Sequence, residues 1–188
     1  TGKGFAIGSA ALTALALLAA YIDEVKVGLE RMVSTGGQLP ELVAKYLAEN
    51  PAEKVEKLGL LDFVAIYDLS LFNPKLLVGM FIGSMMVFFF CSLTMEAVGR
   101  AAGKMVEEVR RQFREIKGLL SGDPNAKADY ASCVAIATKG AQREMVIPSL
   151  LALATPVVVG LILGVSGVVG LLAGALSTGF ITAIFMAA

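Results

Sequence analysis

The sequence contains no histidine and no tryptophan, and only 17% of its 188 residues are charged. Without histidine, no imidazole metal site and no imidazole general base can come from this chain. Its two cysteines, Cys91 in an uncharged stretch and Cys133 in a charged one, sit at different depths and supply no disulfide framework. Charge itself is missing over long runs. Apart from Lys3, every Asp, Glu, Lys and Arg falls in residues 23–75 or 96–144, which leaves 4–22, 76–95 and 145–188 uncharged. With 56% hydrophobic residues and a positive mean hydropathy, this is a membrane composition. The start at Thr1 shows neither a Met nor a basic region ahead of a cleavage site, so the reading is an internal piece of a longer protein without a signal peptide.

A run of 19 uncharged residues, 4–22, is about the length a helix needs to cross a hydrocarbon core of roughly 30 Å. The last run has 44 residues. As one straight helix it would be about 66 Å long, twice what a bilayer requires. It must fold back, and Gly164–Val165–Ser166–Gly167 offers a turn without charge. The expected fold is all-α and integral to the membrane, with four transmembrane helices. The spans are about 3–22, 74–104 (continuing as a cytoplasmic helix to about 119), 141–164 and 167–188. Residues 23–73 form an outer loop and 105–140 a cytoplasmic one, and 1–188 is a single membrane region.

The first span carries Gly4 and Gly8 as a GxxxG pair amid Ser9, Ala10, Ala11 and Ala14, a surface small enough for close helix packing in lipid. GKG alone does not meet the phosphate-loop pattern. The outer loop holds nine acidic against six basic residues over 23–75. Leu39, Leu42, Val43, Tyr46 and Leu47 recur at helical spacing, and Asn50, Pro51 and Glu53 read as a helix stop followed by a new start. Two short amphipathic helices are expected, lying on the protein or at the membrane surface. Asn73–Pro74 repeats the start signal for the second span, which has its own GxxxG at Gly79 and Gly83 and the run Phe88–Phe90.

Beyond that span, Met105, Val109, Phe113, Ile116 and Leu120 continue an apolar stripe, with Glu107–Arg111 and Arg111–Glu115 at i,i+4 spacing. Gly118, Ser121, Gly122, Asp123 and Pro124 end the helix. Nine basic against seven acidic residues over 96–144 mark that side as cytoplasmic, and the interleaved glutamates argue against nucleic-acid binding. Pro148 and Pro156 kink the third span, with Thr155 placed to help satisfy the backbone that Pro156 frees. Gly167, Gly170, Gly174 and Gly179 give the fourth a narrow face suited to a bundle interior.

GKGFAIGSAALTALAL (2–17), KMVEEVRRQF (104–113), DYASCVAIATKGAQREM (129–145) and GALSTGFITAIFMAA (174–188), in this order and spacing, resemble the membrane-bound ion-pumping inorganic pyrophosphatases. The resemblance covers nearly all of the chain except about Asp23 to Asn73. It implies a larger bundle of some sixteen helices in two concentric rings, of which this piece resembles helices twelve to fifteen. The first and last spans would belong to the inner ring. It also implies a multi-pass protein of a prokaryotic cell membrane, expected as a homodimer, that couples pyrophosphate hydrolysis to export of H⁺ or Na⁺. Its partners are pyrophosphate, the ion, the lipid bilayer and the rest of the same protein, with no nucleic acid.

In that family an Asp and Lys cage binds Mg²⁺ and pyrophosphate. No catalytic, cofactor-binding or metal-ligating residue is assigned in this chain, and Mg²⁺ would be held by segments outside it. The resemblance places Lys3 in a charged network between the hydrolytic site and the ion gate. The alternative reading of Lys3 is a plain lysine snorkelling at the interface. Ile7 and Leu17 match positions lining the hydrophobic constriction of the ion path; by composition they are packing residues. Gly2 matches the state of potassium-dependent members, which makes K⁺ a further expected cofactor. Cys133 lies where some members carry a maleimide-sensitive cysteine. The competing class is a non-enzymatic channel or secondary-transporter module with the same small-residue packing, which inverted repeats would favour; no convincing repeat is found.

Overall fold

The computed structural model describes residues 2–50, 55, 58–121, 123 and 126–187. Six helices follow in order: α1 Gly2–Ser34, α2 Glu41–Glu49, α3 Leu60–Ile66, α4 Pro74–Glu115, α5 Tyr130–Glu144 and α6 Val146–Ala187. Among the described residues there is no strand. Three helical stretches, Gly2–Ser34, Pro74–Glu115 and Tyr130–Ala187, are long and apolar enough to cross a membrane.

α1 does not stop where its charges begin but carries Asp23 to Arg31 on the same helix. Its end is set by Gly36, whose φ of 71° lets Gly36 and Gly37 N–H groups turn back onto the Val33 and Met32 carbonyls, at 3.2 and 2.8 Å. α4 starts as its sequence signal implies: Asn73 Oδ1 accepts from the Lys75 N–H at 3.0 Å, with Pro74 as the first helical residue. In α6 the helix is interrupted at Gly164, where φ 72° and ψ −164° exclude most side chains. A Cβ at Gly160 would stand 3.3 Å from Val168 Cγ2. Eight residues of straight helix would hold these positions about 12 Å apart, so α6 bends sharply at Gly164.

The chain forms two compact units. In the larger, residues 2–87 with 156–187, α1 and the distal part of α6 run antiparallel: Lys3 lies by Ala187 at one end, and Tyr21 packs with Val168 and Leu171 at the other. The start of α4 runs parallel to distal α6. A Cβ at Gly170 would fall on the Leu76 carbonyl, one at Gly79 on the Gly167 carbonyl, and one at Gly174 on the Met80 carbonyl. The glycines of α4 and α6 thus make a seam of backbone on backbone. Those of α1 do not: a Cβ at Gly4 or Gly8 would meet nothing within 4 Å among the described residues.

The segment after α1 builds a small cap over one end of this unit. Leu29, Val43, Leu58, Phe63, Ile66 and Tyr67 are its buried core, with Val165 packed against it. Asn50 closes α2, its N–H on the Tyr46 carbonyl at 3.0 Å. The expected second start at Pro51 and Glu53 lies outside the described residues; α3 begins instead at Leu60, where Asp62 Oδ2 accepts from the Gly59 N–H at 2.7 Å. Ser166 then latches the cap, its buried hydroxyl donating to the Tyr67 carbonyl at 2.7 Å.

In the smaller unit, residues 88–155, the buried line of α4 differs from the expected stripe. Val109, Phe113 and Leu120 are exposed, and the deeply buried position is Gln112, 3% exposed. Its amide holds the start of α5: Nε2 donates to the Asp129 carbonyl and Oε1 accepts from the Asp129 N–H, both at 2.9 Å. Arg111 pairs with Glu115 as expected, but its other partner is Glu108 rather than Glu107. α4 ends at Glu115, and Gly118, φ 88°, makes the turn, with Ser121 Oγ and the Asp123 N–H both on the Gly118 carbonyl; Gly122 and Pro124 lie outside the described residues. Pro148 is buried, and the Thr155 hydroxyl donates to the Leu151 carbonyl at 2.8 Å, one residue before the carbonyl that Pro156 leaves unpaired.

Candidate functional site

The candidate site is the face that α1 shares with distal α6. Between them runs a cavity of about 610 Å³, walled on one side by Ala6, Ile7, Ala10, Ala14 and Leu17 and on the other by residues from Leu172 to Ala183. It has no charged side chain in its lining. Small residues on α1 keep that wall shallow, so the space exists because alanine stands where a leucine would fill it.

At the Lys3 end a second cavity, about 410 Å³, is bounded by Lys3, Gly4, Ile7 and Gly8 of α1 and by Phe180, Ile184 and Ala187 of α6. Lys3 Nζ donates to the Ala187 carbonyl across a long 3.4 Å. The C-terminal end of a helix carries partial negative charge, so this is a favourable place for an ammonium group. One long bond does not saturate three N–H donors, and Lys3 is otherwise exposed in this chain.

Four residues were singled out by sequence. Lys3 and Ile7 come together at the smaller cavity; Ile7 also lines the larger one, and Leu17 lines it further along. Gly2 is the first residue of α1 and is exposed, with nothing within 4 Å of an added Cβ. Among the described residues no three His, Cys, Asp or Glu side chains are placed to hold a metal. The donors among the described residues do not make up a Mg²⁺ cage.

Sequence reasoning missed two polar contacts. Gln112 stands on a helix face judged by its apolar residues alone, and its Nε2 also approaches Glu108 at 2.8 Å and Cys133 Sγ at 3.7 Å. Glu108 is held down to about 2 by the Arg111 guanidinium and by the Gln112 amide. Asp129 is likewise lowered, by the Ser132 hydroxyl and N–H that its carboxylate accepts as N-cap of α5. A glutamine four residues from a glutamate and next to an arginine was the available signal. Ser166 gave none beyond membership of a turn.

Long apolar helices, a glycine seam between two of them and a lone cation at the mouth of a third define an α-helical membrane protein segment. Its helices leave a lined, uncharged groove rather than a filled core. The sequence pattern of the family described as inorganic H⁺ pyrophosphatase matches residues 1–188, and the chain belongs to that family. A putative K⁺-stimulated pyrophosphate-energized sodium pump of Bacteroides thetaiotaomicron is 60% identical over 187 residues, covering 100% of this chain and 24% of that protein. Its counterpart in Clostridium tetani is 42% identical over 172 residues, 92% of this chain and 20% of that protein. A K⁺-insensitive pyrophosphate-energized proton pump of Moorella thermoacetica is 39% identical over 184 residues, 98% of this chain and 22% of that protein. The chain thus spans less than a quarter of the length of these relatives.

Proposed function

We propose that this chain forms one wall of the ion path of a membrane pump that uses hydrolysis of pyrophosphate to move Na⁺ or H⁺ out of the cytoplasm. The observation that carries this is the match of one pyrophosphatase family to the whole chain, joined to 60% identity with a protein named as a sodium pump. In this reading the catalytic Asp and Lys cage and its Mg²⁺ belong to other segments of the protein. Lys3 couples that site to the path, Ile7 and Leu17 line the constriction, and Gly2 is the mark of K⁺ stimulation. The common place of Lys3, Ile7 and Leu17 along one groove of α1 and α6 supports their part of the assignment.

The bend at Gly164 supports counting four spans, since it divides α6 into two segments, each near the length of a bilayer crossing. The antiparallel run of α1 against distal α6, and the parallel run of α4 beside it, agree with α1 leaving the cytoplasm while α4 and distal α6 return to it. In the whole protein these helices take places in two rings, α1 and distal α6 in the inner one, and the assembly is a homodimer in a prokaryotic cell membrane with 105–140 in the cytoplasm.

The test is transport by the complete protein in sealed vesicles. Pyrophosphate with Mg²⁺ should drive uptake of ²²Na⁺ or acidification of the lumen, and added K⁺ should raise the rate. Hydrolysis without movement of either ion would sink the pump reading. Full activity in the absence of K⁺ would remove the role given to Gly2.

A further inference from the structure

We infer that the Leu60–Phe72 edge of the cap is seated in the lipid bilayer, in the leaflet where α4 begins. Apart from Asp62, whose carboxylate accepts from the Gly59 N–H and the Tyr46 hydroxyl, α3 is apolar on both sides. Phe63, Ile66 and Tyr67 go into the cap core, and the Phe63 and Tyr67 rings stack 6.0 Å apart. Leu60, Leu61 and Val64 are left on the other side, Leu61 81% exposed, and the following turn adds Leu71 and Phe72, the latter 96% exposed. An edge facing water does not present five large apolar side chains in thirteen residues; such surfaces mark a membrane or a partner.

The depth of this edge is set by α4. Its uncharged run, 76–95, has 20 residues and is about 30 Å long as a helix, the thickness of the hydrocarbon core, and Lys75 and Glu96 bound it on either side. The helix cannot slide by a turn without drawing one of these charges inward. Phe72, four residues ahead of Leu76, is therefore held close to the boundary between lipid headgroups and hydrocarbon. Its exposed surface continues along the same chain into the exposed Leu77, Val78 and Phe81 of α4.

The edge is also rigid. Asp68 adopts φ 43°, the Asn73 Nδ2 donates to the Asp68 carbonyl at 2.9 Å, and the Phe72 N–H donates to Ser70 Oγ at 3.1 Å. Phe72 is thus presented by a built turn. A preformed apolar edge at headgroup depth buries its surface in lipid without an ordering cost, in the manner of an interfacial helix.

This inference rests on the reading of α4 as membrane-spanning, and the test separates the two. Single-cysteine variants Phe72→Cys and Leu61→Cys of the complete pump, with Phe81→Cys marking α4 and Glu49→Cys marking the exposed end of α2, are made in a background lacking other cysteines. Each is labelled with an environment-sensitive fluorophore in lipid vesicles. Lipid brominated near its headgroup should quench the labels at 61 and 72 several-fold more than aqueous iodide does, with the reverse at 49. Iodide quenching at 72 equal to that at 49 would show an edge in water. Labels at 61 and 72 reached by neither quencher would show an edge covered by protein. Either result overturns the seat while leaving α4 in place, provided the label at 81 is shielded from iodide. A label at 81 open to iodide would overturn the spanning reading, and the seat with it.

Discussion

Lys3 brings a full charge to a helix whose next nineteen residues carry none, and finds there one long hydrogen bond to the end of α6. A cation so placed is stabilised by partners or it is expensive. In the complete protein, Lys3→Ala is expected to lower ion transport per pyrophosphate hydrolysed by about tenfold, equivalent to ~1.4 kcal/mol. Parallel assays of phosphate release and ion uptake measure this, and an unchanged ratio at normal rates would show that Lys3 merely snorkels. Glu108 makes a different prediction. Its carboxylate is held near 2 by Arg111 and Gln112, below its ordinary 4.5, so it stabilises the smaller unit while ionised. That contribution is complete above about pH 4.5 and is lost as pH falls towards 2. Glu108→Gln should therefore lower thermal stability at pH 6 and narrow its gap from the parent protein in acid, as read by thermal unfolding in detergent at each pH.

At the level of elements, the seam between α4 and distal α6 is the most exacting contact of the chain. Gly170→Ala places a methyl on the Leu76 carbonyl, and relief requires the two helices to part. The expected cost is ~1–3 kcal/mol, measured as a fall in melting temperature of the complete protein. The latch is gentler. Ser166→Ala leaves the Tyr67 carbonyl with only the long 3.5 Å bond from Asn73 Nδ2, at about 1 kcal/mol, and should loosen the cap selectively, seen as faster amide exchange in α2 and α3 than in α4.

These elements also show what could be read from sequence. Asn73–Pro74 announced α4 because capping is local chemistry, carried by a side chain and its neighbour's N–H. The glycines of α6 announced packing because smallness is visible residue by residue. Gly4 and Gly8 have the same spacing yet touch nothing among the described residues, since spacing does not say whether a partner is present. The stripe of α4 beyond 104 was misread for a related reason: hydrophobicity ranks Phe113 above Gln112, but only the docking of α5 decides which of them is covered. Of the candidate site, the residues are assigned through family resemblance, and the groove was not legible in the sequence. A cavity is a property of two helices at a distance, and no local pattern encodes it.

For the whole molecule, the proposed function gives this chain the part of a wall of the ion path. Among the described residues no acidic cluster is fit for a metal, and under the proposed function hydrolysis is supplied from the rest of the protein. In vesicles of the complete protein, widening the groove with Leu17→Ala is expected to uncouple the pump partially, leaving hydrolysis near its parent rate while ion accumulation falls several-fold. Comparing the two rates in one preparation checks it. Equal losses of both would place Leu17 in folding rather than in the path.

The glycine seam has a mechanical corollary. Side chains that interdigitate can exchange rotamers and let one helix creep past another, but a contact of main chain on main chain has nothing to rearrange. Shifting distal α6 by one residue would bring Val168 or Leu171 onto the α4 backbone in place of Gly167 or Gly170. α4 and distal α6 are therefore keyed in a single notch and travel as one strut. Under the proposed function, movement within this unit falls to the uncharged groove between α1 and distal α6, which no such seam fills.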